Sequence, residues 1–231
     1  MALQVGMLLF PRLTQLDFTG PFEVMHRIPG AEVHVLWKDL APVRADSGLR
    51  ILPTRRLDDC PPLDVVFVPG GEGQIELMTD LPVLDFLAAQ GHAAKYVTSV
   101  CTGSLLLGAA GLLDGYEATT HWAYTELLAS FGARAVRKRV VVDRNRITAG
   151  GVTAGIDFGL RIAAELAGEE VAKSIQLGLE YDPEPPFRSG HPDVADAALV
   201  AKMRLSVAKV MQERRDAIER WASLRREREP L

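Results

Sequence analysis

The sequence predicts an α/β fold: an open, mostly parallel sheet with helices on both faces, followed by a long C-terminal helix. Three observations predict it. Residues 3–10, 64–68 and 96–100 are short apolar runs without polar alternation, the habit of strands buried on both faces. Stretches of helical period separate these runs. The second and third runs stop abruptly, at Pro69-Gly70-Gly71 and at Cys101.

Each element follows in order. After the first strand, Thr14 or Thr19 caps a helix that carries Phe22, Val24 and Met25. Residues 31–37 alternate and read as a second strand. Short β signals at 42–53, around Ser47-Gly48, suggest a hairpin insertion. Strand 64–68 precedes a helix at 82–90 with Pro82 in its first turn. Strand 96–100 runs straight into Cys101 and a helix of small residues at 102–110. Residues 140–142 and 147–149 form strands around Asp143-Arg144-Asn145. Helices follow at 155–167 and 169–179. A loop at 182–192 holds four prolines, and 193–229 is mostly helix. In that last stretch Val200, Met203, Val207, Val210, Ile218, Trp221 and Leu224 recur at three- and four-residue steps, giving one apolar face for docking or for dimer packing. The expected organisation is a single α/β domain over 1–231, with 193–229 as a helical extension.

Composition narrows the function. With 48% apolar and 24% charged residues and a net charge of −4, the chain reads as an ordinary globular protein with no electrostatic footprint for nucleic acid. No apolar run approaches the roughly 20 residues needed to span a bilayer. The start of the chain lacks the charged region of a secretory signal, so the expected location is the cytoplasm. The two cysteines, Cys60 and Cys101, are expected as free thiols. No metal-ligand spacing occurs, and no cofactor is expected.

The chemistry centres on Val97-Thr98-Ser99-Val100-Cys101-Thr102-Gly103-Ser104. A side chain at a strand-to-helix corner stands above the sheet, at a helix N-terminus where N–H groups and the positive dipole end favour an anion. A thiol there is expected to ionise more readily than a cysteine of ordinary pKa, about 8.5. The same N–H groups suit an oxyanion, as in the nucleophile elbow of serine enzymes. Gly70-Gly71 ends a neighbouring strand at the sheet edge where ligands of open α/β sheets bind. Asp17 lies between Leu16 and Phe18; burial there would raise its pKa and keep a proton available. Glu23 is the rival carboxylate. His121, in Thr120-His121-Trp122, is a candidate to orient or deprotonate a group near Cys101, or a packing histidine. The remaining histidines show no constellation. Cys60 precedes Pro61-Pro62 and reads as a spectator.

Leu-Asp-Phe-Thr-Gly-Pro at 16–21, Val-Pro-Gly-Gly at 68–71, Ser-Val-Cys-Thr-Gly-Ser at 99–104 and Ala-Thr-Thr-His-Trp at 118–122 resemble the PfpI-like (class I glutamine amidotransferase-like) cysteine superfamily. Within it they are similar to the isocyanide hydratases. Gly-Gly-Val-Thr-Ala-Gly-Ile-Asp at 150–157 and Gln-Leu-Gly-Leu-Glu-Tyr-Asp-Pro at 176–183 fit the same branch. The likeness extends to about residue 190. It implies a flavodoxin-like α/β fold, a homodimer, Cys101 as nucleophile, Asp17 as its acidic partner, and oxyanion donors from the N–H groups of Gly71 and Thr102. His121 joins these as a candidate substrate-binding residue. Proteolytic-type members carry histidine directly after the cysteine, whereas Thr102 stands here, which speaks against a peptidase. A regulator branch adds a helix-turn-helix region, for which the residues after 192 leave no expected room. The activity implied is hydration of a small-molecule isocyanide through a covalent thioimidate. A glyoxalase or deglycase acting on dicarbonyls, and a cysteine redox sensor, are the alternatives.

Overall fold

The computed structural model describes residues 2–228. Leu3–Leu8 forms β1, Gln15–Met25 α1 and Ala31–Trp37 β2. Val43–Arg44 (β3) and Arg50–Ile51 (β4) pair antiparallel, as the hairpin signal around Ser47-Gly48 predicts. Arg55–Arg56 (β5), Val65–Val68 (β6), Gln74–Leu77 (α2), Leu81–Ala93 (α3) and Tyr96–Val100 (β7) follow. Then come Gly103–Ala109 (α4), Glu117–Ala118 (β8), a 3-10 segment at Trp122–Phe131, and Arg134–Ala135 (β9). Val140–Asp143 (β10) and Arg146–Ala149 (β11) lead to Ala154–Ala167 (α5), Glu169–Gly178 (α6), Ala197–Ser206 (α7) and Ala208–Arg228 (α8).

Seven strands form the main sheet in the order β10-β11-β7-β6-β1-β2-β5. Every pairing in it is parallel except β10 with β11. Helices cover both faces, which is why the central strands lack alternation: all four residues of β6 are buried. The order reverses between β1 and β6, because β1 leads outward to β2 while β6 lies on its other side. Such a switch point opens a crevice at the strands' carboxyl ends. Four parallel neighbours, β1, β6, β7 and β11, therefore deliver their following loops to one place.

Two helices beside that crevice approach closely. A Cβ added to Gly155 in α5 would meet Pro21 Cδ of α1 at 2.9 Å, and one on Gly159 would meet Val24 Cβ at 2.8 Å. Small residues on α5 thus let α1 pack almost backbone to backbone.

The C-terminal stretch departs from the single amphipathic helix. It breaks at Val207 into α7 and α8, and Glu229 lies outside the described residues. On α7, Leu199 and Met203 are exposed. On α8, Ala217, Ile218 and Trp221 are buried against the chain's own core. Trp221 donates its Nε1–H to the Ala109 carbonyl at 2.9 Å and meets the Phe131 ring edge-on at 4.8 Å. Sequence periodicity shows that an apolar face exists but not which surface receives it. The short α2 carries too few turns to leave a periodic signal, and the 3-10 segment does not follow the 3.6-residue period of an α-helix.

Candidate active site

Cys101 follows β7 directly and adopts φ 55°. A left-handed conformation costs a non-glycine residue energy, and it persists only where the surroundings impose it. Here they do. The Cys101 N–H is shared between the Ala149 and Gly150 carbonyls at 3.0 Å each. The Cys101 carbonyl accepts from Thr120 Oγ1 at 2.8 Å and Ser104 Oγ at 3.2 Å. The corner needs glycine at the start of α4: a Cβ on Gly103 would lie 2.2 Å from the Val68 carbonyl oxygen.

Asp17, from α1, stands against Cys101. It is 0% exposed. Its Oδ2 accepts the Gly70 N–H at 3.1 Å, and its Oδ1 has no partner. A Cβ on Gly70 would lie 2.7 Å from both Asp17 Oδ2 and Cys101 Cβ, so only glycine lets this loop lie between acid and thiol. Burial pushes the Asp17 carboxyl up from 3.8 to about 7, against the opposing hydrogen bonds from Cys101 and the Gly70 N–H. Glu23 lies on the exposed side of α1, where it pairs with Arg27 and His26 and its carboxyl is held low.

The thiol departs from the expectation of easy ionisation. Cys101 is 7% exposed, beneath the loops that follow the neighbouring strands. Burial, with the Asp17 charge beside it, pushes the thiol well above its ordinary value. The N–H groups of Thr102 and Val152 act in the opposite direction. The helix end does supply a donor, but desolvation outweighs it. Thiol and acid form a coupled pair, and above about pH 7 that pair holds one proton.

The expected oxyanion donors are both engaged. Gly71, at φ +134°, gives its N–H to Thr102 Oγ1 at 3.1 Å. The Thr102 N–H points to the Cys101 sulfur. His121 caps the 3-10 segment, its Nδ1 accepting the Ala123 N–H at 3.3 Å. It packs against Trp122 and Tyr124. Burial, then the Arg214 charge, lower its pKa to about 4, so it is neutral at pH 7. It lies beside the thiol loop without a hydrogen bond to Cys101.

Sequence reading missed three features. Val152, a β-branched residue at φ 33°, holds its N–H toward Cys101; Gly150-Gly151 ahead of it was the available signal. A cavity of about 680 Å³ shares Thr120, His121 and Val152 with the site and is lined also by Trp122 and Arg204. Arg214 of α8, 140 positions from its contact Gln74, reaches the Gly71 loop, which no local motif announces. Among the described residues no group of three or more His, Cys, Asp or Glu side chains could hold a metal, and no helix is long and apolar enough to cross a membrane.

Residues 3–165 match the DJ-1/PfpI family. The isonitrile hydratase of Pseudomonas putida is 54% identical over 223 residues, covering 96% of this chain and 98% of that protein. The HTH-type transcriptional regulator GbdR of Pseudomonas aeruginosa is 34% identical over 186 residues, 77% of this chain but 50% of the regulator. Among solved structures, a THiJ/PfpI family protein from Pseudomonas syringae superposes with a TM-score of 0.92 at 45% identity, covering 94% of this chain and 91% of the other. Drosophila melanogaster DJ-1beta superposes at 0.71 with 27% identity, covering 79% and 100%.

Proposed function

This chain belongs to the DJ-1/PfpI family, and on that premise we propose that it is an isocyanide hydratase, converting R–N≡C and water to an N-substituted formamide. The observation that carries the reading is the buried contact of Cys101 with Asp17, joined to 54% identity with an isonitrile hydratase along nearly the whole chain.

Isocyanide hydration asks for a nucleophile and a proton at the same carbon. Cys101 sulfur adds to the terminal carbon, and Asp17 delivers the pair's proton there, giving the thioimidate R–N=CH–S–Cys101. Asp17, now a carboxylate, takes a proton from water as the water oxygen attacks that carbon. Asp17 passes that proton to the nitrogen, the C–S bond breaks as the hydroxyl proton returns to Asp17, and R–NH–CHO leaves with the thiolate and the protonated carboxyl restored. Thr102 and Gly71 turn their N–H groups from sulfur and hydroxyl toward the developing charge, where a well-aimed donor is worth about 3–4 kcal/mol. The substituent R extends into the cavity beside Val152 and Trp122. A neutral His121 supports binding there without competing for the proton. The route uses only the chain's own groups.

The test is purified protein given one aromatic and one alkyl isocyanide, with formamide followed by mass spectrometry. Formamide formed catalytically supports the reading. No formamide, with turnover of a dicarbonyl instead, overturns it in favour of glyoxalase-type chemistry. Oxidation of Cys101 without turnover of either substrate would leave a redox sensor. The active form is proposed as a homodimer in the cytoplasm, since closed two-fold assemblies are the commonest oligomers and α7 leaves Leu199 and Met203 outward. Light scattering at micromolar concentration should give twice the 25.2 kDa protomer mass.

A further inference from the structure

Arg214 is a buried cation that the mechanism above does not use. Its side chain enters from α8, beyond the residues that match the family. The residue is 2% exposed. Its Nε donates to Gln74 Oε1 at 3.3 Å and its Nη2 to the Gly71 carbonyl at 3.4 Å. The guanidinium lies 4.0 Å from the centre of the Tyr124 ring. Its Nη1, and Gln74 Nε2 beside it, are buried without a hydrogen-bond partner. Among the described residues no carboxylate forms an ion pair with it, although an uncompensated buried charge is costly.

The opposite charge lies on the other side of one residue, Gly71. Gly71 accepts from Arg214 through its carbonyl and donates to Thr102 through its N–H. Thr102 follows Cys101. With one proton between them, Cys101 and Asp17 carry a net charge of −1, also buried and also without an ion-pair partner. The other groups around the pair cannot balance it. Asp46 is acidic, and His121 and Tyr124 are neutral at pH 7. Glu72 acts instead on Arg214 and Tyr124, without an ion pair to the guanidinium. Arg12, whose backbone lies against Gly71, turns its guanidinium outward to Glu76 at 2.8 Å. Arg215, next along α8, pairs with exposed Glu126.

We propose that Arg214 is the counter-charge of the Cys101–Asp17 pair, a positioning residue through which α8 completes the active site. Acting across Gly71, it favours the singly protonated pair over the doubly protonated one. Burial lowers the Arg214 pKa, and Tyr124, Cys101 and Glu72 act in the opposite direction. The inference rests on the pairing of Cys101 with Asp17 and not on the identity of the substrate, so it is tested without an isocyanide.

The experiment measures the rate of Cys101 alkylation by iodoacetamide from pH 5 to 10, in a Cys60→Ser background that removes the second thiol. Removing a cation disfavours the anionic pair, so Arg214→Gln should move the midpoint of the rate profile up by about one pH unit and slow alkylation near pH 7 about tenfold. Arg214→Lys, which keeps the charge, should hold the midpoint near that of the parent. Gln74→Glu sets a carboxylate against the guanidinium and neutralises it in place; it too should raise the midpoint, and it keeps the inference testable if Arg214→Gln does not fold. An unchanged midpoint in both Arg214→Gln and Gln74→Glu overturns the proposal. So does an equal shift in Arg214→Lys and Arg214→Gln, which would show that the shape of the side chain matters and its charge does not.

Discussion

Cys60 and Cys101 are two free thiols in one chain, and burial raises the pKa of both, Cys60 to about 11. Acidity therefore does not separate them. Their surroundings do. Cys60 ends a 3-10 turn at Leu57–Asp59, and its Sγ meets the carbonyl of Pro61 at 3.4 Å. That partner accepts a hydrogen bond and offers no proton relay. Cys101 faces a buried carboxylate whose proton affinity is raised, two backbone N–H groups and a backbone held at φ 55°. Reactivity at a buried thiol comes from an adjacent group that takes its proton, more than from a low intrinsic pKa.

The largest effect should come from breaking the pair that Cys60 lacks. Asp17→Asn and Cys101→Ser should each lower isocyanide turnover by about 10²–10⁴. The double variant should be little worse than either, because the two groups act as a unit. Glu23→Gln and Cys60→Ser should stay near wild type. Formamide production by all five under one condition decides this, and normal turnover in Asp17→Asn with collapse in Glu23→Gln would reverse the assignment of the acid.

Next in size is a stability effect with a definite sign. The folded Asp17 carboxyl titrates at about 7, above its ordinary 3.8, so the native state holds its proton more tightly than the unfolded chain does. Stability is then lost as pH rises from about 4 through 7. Asp17→Asn avoids that loss and should be more stable than wild type at pH 8, by at most about 4 kcal/mol. The gap should close below pH 4. Urea melts at the two pH values measure it, and a gap independent of pH would mean that the carboxyl is not buried in solution.

Alkylation sharpens the contrast between the thiols. Substoichiometric iodoacetamide at pH 8 should label Cys101 about tenfold faster than Cys60, and peptide mapping reads the ratio. Preferential labelling of Cys60 would mean that Asp17 does not take the thiol proton. The smallest expected effect is none: exhaustive EDTA treatment should leave turnover unchanged, because the proposed route has no Lewis-acid step. Loss of activity that one divalent metal restores would break the mechanism.

The sequence by itself determined the layered α/β architecture, the strands 31–37 and 96–100 to the residue, and Cys101 as the residue at a strand-to-helix corner. These properties are local. Unbroken apolar runs report burial on both faces, and a β-run that ends on cysteine before small residues reports the corner. Cys101, Asp17 and the Gly70-Gly71 turn were each legible separately. The tertiary structure decided which groups meet. Asp17 and Glu23 lie six residues apart on one short helix, and only the packing of α1 against α5 shows which faces the thiol. The expected low thiol pKa failed for the same reason, since desolvation depends on loops from other strands that cover the corner. The amphipathic C-terminal stretch announced an apolar face, but the break at Val207, the docking of Trp221 and the burial of Arg214 beside Gly71 depend on a surface built by distant residues. A contact across 143 positions, such as that of Arg214 with the Gly71 carbonyl, leaves no periodicity or motif in a sequence, because the energy that fixes it exists only when the chain has folded.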